Sequence, residues 1–128
     1  MAEHASDAVE HARATFGVEL DTSPESVGWL EAIATAIHQL LATEEQLSDD
    51  EFDVLCKIYG GYLGEVIRTA HGGEWEYEFE SAPGVAVISL RHAKGRIFPP
   101  MKWARRIERG AEEDLLAFYR KISAAEGN

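Results

Sequence analysis

Apolar residues recur every three or four positions through Val27, Leu30, Ile33, Ala34, Ile37, Leu40 and Leu41, the broad face of a core helix. Ser23 is placed to cap it, Pro24 suits its first position, and Glu25 suits the positive end of its dipole. A longer run follows through Phe52, Leu55, Cys56, Tyr59, Leu63, Val66, Ile67 and Ala70. Ser48 and Glu51 form a capping box at its start, and Gly72-Gly73 stops it after His71. Ahead of both, Ala5, Ala8, Val9, Ala12 and Phe16 mark a first helix over about 3–16, ended by Gly17. Its face is mostly alanine, which predicts weak docking of the first 20 or so residues.

The period then changes from helical to two. Glu74 to Glu80 alternates, with Trp75, Tyr77 and Phe79 on one face and four glutamates on the other. Pro83-Gly84 predicts a turn, Val85–Leu90 a buried strand, His92–Gly95 a second turn, and Arg96–Phe98 a short third strand. Pro99-Pro100 opens a fourth helix with Met101, Ala104 and Ile107 inward, ended by Gly110. Glu112, Glu113 and Asp114 open a fifth, with Leu115, Phe118, Tyr119 and Ile122 as its stripe. The predicted class is α+β in one domain over 1–128, in the order ααα-βββ-αα. A three-stranded antiparallel meander is expected, its aromatic face covered by the second and third helices.

Charge divides the chain sharply. The net charge is −11, yet residues 91–109 hold seven Lys or Arg against one Glu. An acidic body repels phosphate, which argues against nucleic acid, and it favours solubility and a basic partner. No apolar run approaches the length of a membrane span, and no basic-then-apolar leader opens the sequence. A single cysteine cannot form an internal disulfide, so the expected compartment is the cytoplasm.

Catalytic and cofactor motifs are not recognisable, and no cofactor is expected. His4 and His11 share a helix face without further ligands at metal spacing, so no metal site is expected. Cys56 reads as a small buried thiol. The stretch Tyr59–Arg68 contains Gly60, Gly61 and Gly64 beside Glu65 and Arg68, which are three apart and can touch. The glycines either line a groove for a ligand or admit the backbone of the strands or the fourth helix. Lys102, Arg105, Arg106 and Arg109 line a helix face that can bind phosphate or carboxylate, or pair with the chain's own acidic helices.

Four segments carry a resemblance: Gly61–Arg68, Gly72-Gly73-Glu74-Trp75, Phe98-Pro99-Pro100-Met101-Lys102 and Arg106–Gly110. Together they resemble a family of small uncharacterised bacterial proteins with a Leu-Gly-Glu helix, a Gly-Gly-x-Trp strand start and a Phe-Pro-x-x-Lys helix start. The resemblance spans about residues 55–120. It implies a stand-alone bacterial cytoplasmic domain, in some members similar in size and acidity to immunity proteins, and it assigns no catalytic residue. The leading expectation is a non-enzymatic, immunity-like or accessory domain that binds another protein. The alternative is a binder of a small anionic ligand, or an enzyme of unrecognised type. Its pocket would lie between the third helix, the first strand and the fourth helix, lined by Glu65, Arg68, Trp75, Lys102, Arg105 and Arg106.

Overall fold

Helix α3 (Asp49–His71) is the axis of the molecule, 23 residues long and buried almost all round from Cys56 to Ile67. A helix without a solvent face must be packed on several sides. In this computed structural model, which describes residues 2–43, 47–79, 86–92 and 95–126, two helices flank it closely and two more touch it. Helix α1 (Ala2–Phe16) lies along one side, burying Ala5, Ala8 and Ala12. Its small alanine side chains are what face α3. Helix α4 (Pro99–Arg109) packs on another side, and α2 (Ser26–Ala42) packs chiefly on α4 and on α5 (Leu115–Glu126).

Close approach explains the glycines of α3. A side-chain carbon at Gly60 would collide with Pro100, whose backbone nitrogen would stand at 2.8 Å. One at Gly64 would collide with the ring of Trp75 and meet Cγ of Pro99 at 3.2 Å. The start of α4 and the Trp75 ring therefore occupy the notches these glycines leave.

The α+β expectation is overturned. The chain is predominantly helical, and its core is built by helices packing on helices, with no sheet layer for α2 and α3 to cover. The strands β1 (Glu74–Phe79), β2 (Ala86–His92) and β3 (Gly95–Ile97) are short and peripheral. They meet as an antiparallel ladder, with Trp75 opposite Leu90 and Leu90 opposite Ile97. Alternating aromatics look alike in sequence whether they face a sheet core or, as Trp75 does, plug a notch in a helix. The predicted Pro83-Gly84 turn lies outside the described residues, as do Ala93 and Lys94 of the second turn and the side chains of Tyr77, Phe79 and His92.

Helix ends refine the sequence expectations. Ser48 and Glu51 exchange both capping-box bonds at the start of α3. Ser23 accepts from the Ser26 amide, but the helix proper begins only at Ser26, after a tight turn. Glu112 and Glu113 belong to a short 3₁₀ turn (Ala111–Glu113). Asp114 then caps α5, its Oδ1 accepting from the amides of Leu116 and Ala117 at 2.7 and 3.1 Å. On α4 the inward residues are Trp103, Arg106 and Ile107, while Met101 is 45% exposed. Its register is rotated from the one expected because Trp103 stacks on Tyr59 of α3, ring centroids 4.8 Å apart.

Candidate functional site

The six residues expected to line one pocket go to four places. Arg106 is in the core, 1% exposed. Its Nε and Nη2 donate to Glu31 Oε1 and Oε2 of α2 at 2.8 and 2.7 Å, and Nη2 also donates to Thr35 Oγ1 at 2.7 Å. Glu31 Oε1 further accepts from the Leu115 amide at 3.1 Å, so one carboxylate ties α2, α4 and the first turn of α5 together. This arrangement is architectural. Trp75 plugs the Gly64 notch, with its indole nitrogen buried and without a partner among the described residues.

Lys102 and Arg105 face a groove between β3, α4 and α5, of about 360 Å³. Lys102 donates to Glu113 at 2.8 Å and lies 5.5 Å from the centre of the Phe118 ring. That bond, followed by Arg109, holds the Glu113 carboxyl below the usual carboxylate range. Arg105 is exposed and has no ion-pair partner among the described residues. Arg96 of β3 completes the cationic rim, lying 3.3 Å from Glu76. Between these cations the walls are apolar, with Phe98 37% and Met101 45% exposed. Met101 sits on the solvent side of α4, whose other face carries Trp103 and Ile107, and Phe98 immediately precedes the helix.

Glu65 and Arg68 face elsewhere, toward α1. Arg68 Nε donates to Glu65 Oε2 at 2.5 Å. The pair lines a cleft of about 380 Å³ with Ser6, Thr22 and Thr69. Tyr62, one turn earlier, accepts from the Thr22 amide at 2.8 Å and shares a hydrogen bond with Ser26 Oγ at 2.6 Å. Burial raises the Tyr62 phenol, which keeps it neutral and able to serve both partners.

The remaining reactive groups are occupied in packing. Burial pushes the Cys56 thiol up to about 12, with Asp53 and Glu108 adding to the effect, which suppresses the thiolate. His11 meets the Tyr59 hydroxyl at 2.5 Å, and burial lowers its pKa. His38 donates Nδ1–H to the Ile107 carbonyl at 2.7 Å, and its ring lies against Gly110, the φ +92° residue that ends α4. His71 meets Ser123 Oγ at 2.9 Å and the Tyr119 hydroxyl at 3.2 Å, joining α3 to α5. Sequence reasoning had no signal for Glu31 as the partner of Arg106, because the two lie 75 residues apart. Among the described residues no group of His, Cys, Asp and Glu could hold a metal ion, and no helix is long and apolar enough to cross a membrane. No family model, no curated protein and no solved structure matches this chain.

Proposed function

We propose that the protein is a non-enzymatic interaction domain, accessory or immunity-like in role. Its groove between β3, α4 and α5 holds an acidic amphipathic segment of a partner protein. One observation carries the reading. In a chain of net charge −11, the exposed apolar pair Phe98 and Met101 lies beside Arg105, an exposed cation with no ion-pair partner among the described residues. Lys102 and Arg96 of the same groove already pair with Glu113 and Glu76. Apolar anchors give such a segment its affinity, and the charge contact at Arg105 sets its orientation and disfavours basic competitors. A helix with apolar residues three and four apart, flanked by Asp and Glu, matches this chemistry.

Fluorescence anisotropy with a labelled peptide of that design tests the reading against a charge-reversed peptide and a scrambled one. The acidic amphipathic peptide should bind saturably. Arg105→Glu or Met101→Asp, both at exposed positions, should weaken it about tenfold or more, as should raised salt. Equal binding of the scrambled peptide, or affinity indifferent to both variants, would sink the proposal.

A further inference from the structure

The cleft between α1 and α3 contains more charge chemistry than its packing uses. The Glu65 side chain is 8% exposed, yet only Oε2 is engaged; Oε1 has no hydrogen-bond partner among the described residues. Arg68 bonds through Nε alone, and its side chain is 44% exposed. Both charges line the same cleft as the hydroxyl-bearing Ser6, Thr22 and Thr69. Tyr62 fixes the Thr22 wall through the Thr22 amide.

A carboxylate so poorly hydrated has a strong demand for donors, and one charge-assisted bond meets half of it. The Nε to Oε2 bond leaves one acceptor atom of Glu65 and two donor nitrogens of Arg68 unused. Oε1 and the terminal nitrogens of Arg68 are left without hydrogen-bond partners among the described residues, and both residues line the cleft. A lone anion would meet the Glu65 charge, and a lone cation would meet Arg68. A ligand carrying both charges close together satisfies each without opposing the other.

We propose that this cleft binds a small zwitterion of the α-amino acid type. Its ammonium donates to Glu65 Oε1, its carboxylate accepts from the terminal nitrogens of Arg68, and its side chain lies among the Ser6, Thr22 and Thr69 hydroxyls. The proposal is independent of the groove beyond α4.

The test is amide chemical-shift titration of the full chain with each common α-amino acid singly, to about 10 mM. The tightest binder is then compared with its N-acetyl derivative and its methyl ester, each lacking one charge. Saturable shifts at Ser6, Thr22, Glu65 and Thr69 are expected. Either capped analogue should bind about tenfold or more weakly, since each loses a charge-assisted bond. Glu65→Gln should abolish the shifts. Ser6→Phe, at an exposed position of α1 and first checked for native circular dichroism and urea midpoint, should abolish them by filling the cleft. No saturable shifts from any amino acid would overturn the proposal. So would capped analogues that bind as well as the parent, or shifts that survive Ser6→Phe.

Discussion

Glu31→Gln should be among the most damaging single substitutions in this protein, although Glu31 is only a partly buried residue of a surface-facing turn of α2. Its carboxylate is 17% exposed and its partner Arg106 only 2%. It accepts two bonds from Arg106 and one from the Leu115 amide. An amide cannot neutralise the guanidinium, and one of its two ends would present donors to donors. Arg106 Nη1 already has no partner among the described residues, so the site has no spare acceptor to compensate. Breaking a buried pair by removing one partner costs about 3–5 kcal/mol. The weakened hold on the Leu115 amide falls within that figure. Total stability of a domain is about 5–15 kcal/mol, so a large share is at stake. For a chain of this size the loss corresponds to a Tm lower by about 10–20 °C.

Urea unfolding followed by circular dichroism measures the cost. A double-mutant cycle with Arg106→Met isolates the coupling. Glu31→Leu with Arg106→Met removes both charges together and should recover most of the stability, because a well-packed apolar pair dispenses with the desolvation penalty. A Glu31→Gln cost below about 1 kcal/mol, or strict additivity of the two single substitutions, would refute the reasoning. Either result would mean that the guanidinium finds water or another acceptor and that the cluster does not knit the helices.

Further expectations follow from the same contacts. Gly60→Ala should destabilise despite alanine's helix propensity, because the obstructing Pro100 backbone cannot rotate away; overpacking of this kind costs about 1–3 kcal/mol, read from urea midpoints. Burial lowers the His11 pKa, so the unfolded chain takes up its proton first as pH falls. The associated stability is full above about pH 6.5, is lost as pH drops through that value toward the folded pKa, and should be flat in His11→Gln over the same range. Cys56, buried with its thiol raised to about 12, should react with a disulfide reagent near pH 8 far more slowly in the folded chain than in urea. Equal rates would show that α3 opens around Cys56.

Much of the helical scaffold was legible because its signals are local. The capping box at Ser48, the stop at Gly72 and the apolar face of α2 from Val27 to Ile37 each lie within a few residues, and each is found, while Leu40 of the expected face is exposed. The close approaches at Gly60 and Gly64 were one of two readings open for those glycines. What fills them, Pro100 and Trp75, was legible only as separate motifs. The fold class was misread because period two in Glu74–Glu80 reports alternation but not what lies opposite. Met101, expected inward on α4, faces solvent while Trp103 turns in, because both are apolar and a helix bearing several arginines offers two plausible inward faces. The stacking of Trp103 on Tyr59 decides between them, and it is a long-range fact. The single pocket failed for the same reason: residues grouped by charge in the sequence were divided by helix register.

That division bears directly on function, because most of the basic segment is consumed inside the molecule. Arg106 pairs with Glu31, Lys102 and Arg109 with Glu113, and Arg91 and Arg96 with Glu76. A cation already beside a carboxylate contributes little to a long-range field, particularly at physiological salt. Arg105 is left with no ion-pair partner among the described residues, beside Phe98 and Met101. A polyanion, which needs a track of uncommitted cations, therefore finds poor footing. A short segment needing one charge contact beside two apolar anchors is well matched. Binding of such a segment should weaken with salt far less steeply than phosphate-backbone binding, where each neutralised phosphate adds nearly one to the log–log slope. A slope near one would fit a single dominant contact at Arg105, and a slope of several would mean that the paired cations are released on binding.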